Sequence, residues 1–161
     1  MNESKLDVKK KAVIEIAENL FLSQGLATTE MKEIARCASI SRSTLYRMFD
    51  SRETLAFAVA DKCLHELFDP KPMEIYGTDR SGFEILRSYS SNLIETMIQG
   101  VRYVKYLSEF DQMFSGDYPD TPEARKYVQF NRQRHDRQIL LNILRLGTED
   151  GSIRGDIDAN M

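Results

Sequence analysis

Arg36, Arg42, Arg47 and Arg52 fall within one short window, with Asp50 the acid set among them. Guanidinium groups at that density hold phosphate oxygens. Between them runs Ile40-Ser41-Arg42-Ser43-Thr44-Leu45-Tyr46-Arg47-Met48-Phe49, rich in hydroxyls and short polar side chains. The chemistry this supports is recognition of a polyanion, not bond making. Residues for catalysis are sparse. The two histidines, His65 and His135, are far apart, and no metal-ligand spacing, nucleophile elbow or glycine-rich phosphate cradle occurs. The expectation is therefore no enzyme and no cofactor. Cys37 and Cys63 lack C-x-x-C spacing. They read as reduced packing thiols, with redox sensing by Cys37 as the sharper alternative.

The elements that must position these groups read as helices. The chain has 161 residues, enough for one compact domain or two small packed units, and 42% of it is hydrophobic. Proline and glycine are scarce and helix formers dominate, so an all-α fold is expected. No apolar run is long enough to span a bilayer and no signal-peptide pattern opens the chain, which predicts a soluble, cytoplasmic protein without membrane partners. The formal net charge is −3. The positive charge is local, at the arginine window and at Lys5, Lys9, Lys10 and Lys11. An acidic body with one basic face fits a protein that grips phosphates in one place.

The spacing of Val13, Ile16, Ala17, Leu20 and Phe21 predicts a helix from about residue 7 to 23, stopped by Gly25. Thr28 and Thr29 signal the next start. Met31, Ile34, Ala35 and Ala38 then mark a short helix, and Ala38-Ser39-Ile40 a turn. Ser41 caps the following helix, with Leu45, Met48 and Phe49 inward and Arg42, Ser43, Thr44, Tyr46 and Arg47 outward. Either Asp50 or Ser51 caps a longer helix running to about Phe68, which Asp69-Pro70-Lys71-Pro72 ends. Two short helices, a tight turn and a small, polar, basic outer face read as a helix-turn-helix. The N-terminal residues of its second helix would reach base edges in the major groove.

Residues from about 9 to 55 resemble the tetracycline-repressor-like (TetR) family of transcriptional regulators. The resemblance rests on Phe21 … Gly25, Thr28-Thr29 and Ile34-Ala35 … Ala38. It continues through Ile40-Ser41 … Thr44-Leu45-Tyr46 … Phe49 and Ser51-Arg52-Glu53 … Leu55. Ser39 and Ser43 stand where the family often has glycine, and Met48 where it usually has tyrosine or histidine. Serine in the turn costs little where the backbone keeps φ negative.

The resemblance implies a helix-turn-helix DNA-binding domain over 6–50, a connecting helix over 51–68 and a helical effector-binding and dimerisation domain over 78–161. It implies that Thr28 or Thr29 and Tyr46 bind phosphate, and that Arg47 and Arg52 clamp it. Arg42, Ser43 and Thr44 are the candidates for base contact, Arg42 by bidentate pairing with guanine. The N-terminal lysines form either an arm on the DNA backbone or a solvated end. The implied partners are a palindromic DNA operator, a small-molecule effector and a second copy of the chain. The expected activity is repression relieved by the effector. The family's last helices, which pair in its dimers, are expected beyond Asp156-Ile157-Asp158, where this chain stops at Met161.

In the second half, Phe83, Leu86, Leu93, Ile94 and Met97 mark a helix closed by Gly100. Val101, Val104, Leu107, Phe110, Met113 and Phe114 mark the next. A long helix from Asp120 or Thr121 to about Leu146 follows, with Pro122 in its first turn. The aromatic and methionine-rich face of Tyr103, Tyr106, Phe110, Met113 and Phe114 reads as core or as the wall of an apolar pocket. On the long helix Asn131 and His135 share the stripe of Ala124, Val128, Ile139 and Ile143. Polar groups on an inward stripe need partners. Met97, Tyr103, Phe110, Phe114, Asn131 and His135 are therefore the candidate ligand-binding residues. A helical adaptor that keeps the helix-turn-helix only as scaffold is the alternative function, and it predicts weak DNA affinity indifferent to sequence.

Overall fold

The computed structural model describes residues 5–68, 79–116, 118–133 and 136–156. Eight helices and no strand occur among the described residues: α1 (Lys5–Gln24), α2 (Met31–Cys37), α3 (Arg42–Met48), α4 (Arg52–Phe68), α5 (Gly82–Gln99), α6 (Val101–Phe114), α7 (Pro122–Gln133) and α8 (Asp136–Glu149). The fold is all-α, as the composition predicts. No helix is long and apolar enough to cross a membrane among these residues.

The N-terminal unit follows its sequence signals except at the start of α2, whose N-cap is Glu30 without a side-chain cap bond, the Thr28 and Thr29 hydroxyls donating back to the end of α1 instead. Val13, Ala17 and Phe21 repeat every four residues and bury one stripe of α1. Gly25 ends that helix with φ +96°, and its N–H bonds the Phe21 carbonyl at 2.9 Å. A side chain at that φ would be strained, which is why glycine terminates the helix here. Ser41 caps α3 by accepting the Thr44 N–H at 3.1 Å. Of the two candidate caps for α4, Ser51 does the work, accepting the Thr54 N–H at 3.1 Å.

The turn before α3 departs from the expectation. Ser39 sits at φ +53°, in the left-handed region. The chain reverses between α2 and α3 in four residues, and the Ile40 N–H bonds the Ala35 carbonyl at 3.0 Å. Serine is therefore not cost-free at this position.

Helix α4 is the axis of the molecule. From Thr54 to Ala60 every residue is buried, because α1, α6 and α7 surround this stretch. Phe57 lies at its centre. The ring packs edge-on against Phe110 at 4.8 Å and Tyr127 at 5.7 Å, and tilted against Phe114 at 5.0 Å. Such edge-to-face contacts set the rings in fixed positions as well as burying area.

The helix predicted to run unbroken to Leu146 is described as α7 and α8, with residues 134 and 135 outside the described residues. Its two halves have different partners: α7 lies along α4, and α8 along α5. Ser81 and Glu84 form a capping box at the start of α5. There Gly82 meets Gly147 of α8 backbone to backbone; a Cβ on Gly82 would fall 2.2 Å from the Gly147 nitrogen. The residues after α8 then supply further caps. Asp150 Oδ2 accepts the Gly82 N–H at 2.7 Å and Ser152 Oγ the Phe83 N–H at 3.0 Å.

Candidate nucleic-acid interface and ligand cavity

Helix α3 is only seven residues long, and its two sides are sharply divided. Leu45 and Met48 are buried with Phe49, which holds the helix against the core. Arg42, Ser43, Tyr46 and Arg47 are exposed, and Thr44 is half-buried. The residues expected to contact bases thus share the N-terminal flank of one short helix. Around the cap, the Ser41 hydroxyl meets Ser43 Oγ at 2.9 Å and Thr44 Oγ1 at 2.8 Å. This hydroxyl cluster fixes the first turn while leaving its outer edge free to exchange hydrogen bonds. Arg36 of the arginine window is exposed on α2 as well, and beside it is Lys32, which sequence reasoning did not single out.

The flanking positions are sorted by burial. Thr29 is fully buried, and its hydroxyl donates to the Gly25 carbonyl at 2.8 Å. The expectation that either threonine could meet a phosphate is corrected to Thr28, since a hydroxyl sealed under the α1–α2 turn reaches no external ligand. Thr28 is exposed, with its hydroxyl donating to the Gln24 carbonyl at 2.6 Å. Arg52 is half-buried and donates from Nη1 to the Ala27 carbonyl at 3.1 Å. It steadies the same turn, and a guanidinium has further N–H groups to offer. Of the N-terminal lysines, Lys10 is engaged inward. Its Nζ lies 3.7 Å from Glu123 of α7 and 5.4 Å from the centre of the Phe49 ring. Lys5, Lys9 and Lys11 are exposed.

A cavity of about 620 Å³, broadly open to solvent, lies among α4, α5, α6 and α7. Its apolar wall is Leu64, Leu67, Phe68, Met97, Val104 and Leu107. Its polar rim is Ser108, Asp111, Gln112 and Asn131, with Tyr127 beside them. The Tyr127 hydroxyl donates to Asp111 Oδ1 at 3.3 Å. Met97 and Asn131 are where a ligand would meet them. Tyr103, Phe110 and Phe114 are not. Phe110 is fully buried and stacked into the Phe57 cluster, and Phe114 joins it. Tyr103 packs on the core and its hydroxyl accepts from Arg102 at 2.8 Å. The aromatic stripe is core, because fully buried α4 needs rings against it. His135 lies outside the described residues. Sequence reasoning missed the end of α4 as a wall, since Leu64, Leu67 and Phe68 look like any other buried face. A second hollow of about 510 Å³ lies at the Tyr118–Asp120 loop, edged by Arg125 and Arg132. Like the first, it opens to solvent, between α7 and that loop.

The buried ionisable groups here are structural. Lys62 of α4 bonds Glu18 of α1; burial alone pulls its pKa down, and the Glu18 bond with the Glu66 and Glu15 carboxylates more than offsets it. Burial pushes the Cys63 thiol up to about 12, so it stays protonated. Asp61 has Oδ1 buried without a hydrogen-bond partner among the described residues, and burial raises its carboxyl above the usual range despite His65 and Lys126. No group of His, Cys, Asp and Glu placed to hold a metal occurs among the described residues.

Comparison with known proteins places this geometry in context. Residues 13–59 match the family described as bacterial regulatory proteins, tetR family. That span runs from α1 through the first half of α4. The HTH-type transcriptional repressor KstR2 of Rhodococcus jostii (strain RHA1) is 28% identical over 157 residues, covering 95% of this chain and 72% of that protein. The solved structure of the ketosteroid transcriptional regulator KstR2 of Mycobacterium tuberculosis covers 99% of this chain and 76% of its own, with TM-score 0.63 and 22% identity. Thermus thermophilus FadR, a repressor solved in complex with lauroyl-CoA, covers 93% of this chain and 73% of its own, with TM-score 0.52 and 22% identity. The likeness to these two structures is one of fold.

Proposed function

We propose that this chain, whose residues 13–59 match the tetR family of bacterial regulatory proteins, is a DNA-binding transcriptional repressor rather than an enzyme, that it binds a palindromic operator as a homodimer, and that it leaves the operator when a small apolar-bodied effector fills the cavity among α4, α5, α6 and α7. The observation that carries the DNA half of this reading is the two-sidedness of α3. Its buried side fixes the helix, and its exposed side gathers Arg42, Ser43, Tyr46 and Arg47. Arg42, Ser43 and Thr44 read base edges; Tyr46, Arg47, Thr28 and the free face of Arg52 hold phosphates. Two heads at fixed spacing, one per copy, match an operator with two-fold symmetry.

The effector half rests on the cavity lining. Six apolar side chains suit a hydrocarbon body, and Ser108, Asp111, Gln112 and Asn131 suit one hydrogen-bonding end. One neighbour in fold is named a ketosteroid transcriptional regulator and another was solved with lauroyl-CoA, whose acyl chain is a hydrocarbon body of the same kind. Release follows from linkage: a ligand that favours one posture of the heads weakens operator binding by the factor by which the operator weakens the ligand.

Duplex selection from a random library tests the reading, with anisotropy at several salt concentrations and the solution mass in the same buffer. A palindromic consensus, a dimeric mass and a steep salt slope are expected. Weak binding indifferent to sequence from a stable dimer would instead favour a helical adaptor.

A further inference from the structure

Helix α6 has two working faces. Val104, Leu107, Ser108 and Asp111 look into the cavity. Tyr106 and Glu109, three residues apart, leave the helix on the opposite side and touch the DNA-binding head. Tyr106 stacks on Phe21 of α1 with ring centres 6.0 Å apart, and its hydroxyl donates to the Ala56 carbonyl at 2.9 Å. Glu109 Oε1 accepts the Ala27 N–H at 3.1 Å. The Ala27 carbonyl in turn accepts from Arg52 of α4 at 3.1 Å. One residue of the α1–α2 turn is therefore held from two sides, by a carboxylate on α6 and a guanidinium on α4. Gly25 closes around the same carboxylate; a Cβ there would lie 3.6 Å from Glu109 Oε1. Three residues beyond Ala27 the chain reaches Glu30, the N-cap of α2, so the turn sets how α2 and α3 stand relative to the cavity-bearing unit.

We propose that Glu109 is the positioning residue that ties operator affinity to occupancy of the cavity. The proposal rests on reading that cavity as the effector site. A hydrogen bond from a peptide N–H to a carboxylate is directional and fades steeply beyond about 3.5 Å. A shift of α6 by an ångström, to admit a ligand between Leu107 and α4, breaks it. The turn then loses one of its two restraints, Arg52 follows the loosened Ala27 carbonyl, and the heads leave the spacing the operator requires. Empty cavity, closed bond and operator-ready head form one state; filled cavity, open bond and misplaced head form the other.

The test uses a covalent stand-in for the effector. In a Cys37→Ser background, which removes the exposed thiol and leaves Cys63 buried, Ser108→Cys is labelled with pyrenyl maleimide to fill the cavity. Operator affinity is compared with and without label, on the duplex found by selection, for the Glu109 protein and for Glu109→Ala and Glu109→Gln. Hydrogen exchange at the Ala27 amide is followed in each. The label is expected to weaken operator binding at least tenfold and to speed Ala27 exchange in the Glu109 protein. In Glu109→Ala its effect should fall below threefold, with Ala27 exchange fast in both forms. Glu109→Gln keeps an accepting oxygen and should restore most of the label's effect. An equal label effect in all three proteins overturns the role of Glu109 while leaving the cavity as effector site. No label effect in any of them sinks the cavity reading, and this proposal with it.

Discussion

The Tyr106 hydroxyl donates to the Ala56 carbonyl at 2.9 Å, from a side chain only 2% exposed, and so joins α6 to the buried axis of the molecule. Burial holds the phenol's pKa well above its usual value, so it remains a donor throughout the physiological range. Tyr106→Phe keeps the stacking on Phe21 and removes only the hydrogen bond. The expected loss is about 1 kcal/mol in urea unfolding. A Phe variant as stable as the parent would mean that the bond contributes nothing to the α4–α6 joint.

Ser39 carries a side chain in the left-handed region at φ +53°. That conformation costs a non-glycine residue about 1–2 kcal/mol, and glycine returns up to about 1 kcal/mol of unfolded-chain entropy against it. Ser39→Gly should therefore raise stability by roughly 0.5–1 kcal/mol, seen as a higher melting temperature with the operator consensus unchanged. A lower melting temperature would mean that the Ser39 hydroxyl supports the turn by more than its backbone costs.

The N-terminal head was legible because short helices leave little freedom. With Leu45, Met48 and Phe49 inward, α3 has one orientation, and Ser41 can cap only from where it stands. Thr28 and Thr29 could not be told apart. Both hydroxyls donate back to carbonyls at the end of α1, and only burial separates them: Thr29 is sealed beneath the turn and Thr28 is exposed. The aromatic stripe of α6 was ambiguous for a related reason: periodicity marks an inward face without saying whether a ring or a void lies opposite. Phe57, at the centre of a helix buried on every side, is what makes Phe110 and Phe114 core. The cavity opens one turn away, where Ser108, Asp111 and Gln112 interrupt the apolar pattern. Those polar interruptions were the available signal. Glu109 had none, since a lone glutamate on a helix looks solvated until the distant Ala27 amide is brought to it.

Asp61 gives a pH-dependent test. Its Oδ1 is buried without a hydrogen bond among the described residues, and His65 Nε2 lies 3.9 Å from it. Burial, first among the causes, raises the folded-state pKa above the unfolded value. The ionised form is thus penalised in the fold but not in the unfolded chain. The penalty is absent below the unfolded pKa of about 4, grows as pH rises, and is complete above the folded pKa. Asp61→Asn should stabilise the protein at pH 7 by up to about 1 kcal/mol. The gain should shrink as the melting temperature is followed down toward pH 4. A variant that loses stability at pH 7 would mean that the pairing with His65 outweighs the burial.

Arg42 and Arg47 are both exposed on α3, one at its first residue and one in its last turn. Groups at the start of such a helix meet base edges, and those further along meet the backbone. Arg42→Ala should cost about 1–3 kcal/mol on the selected operator and relax preference at one base position. Arg47→Ala should weaken binding about equally on every duplex and lower the slope of log affinity against log salt by about one. Anisotropy titrations on the consensus and its single-position variants, at several salt concentrations, separate the two. If Arg47→Ala relaxes one base position while Arg42→Ala only lowers the salt slope, α3 enters the groove in the opposite sense from the one proposed.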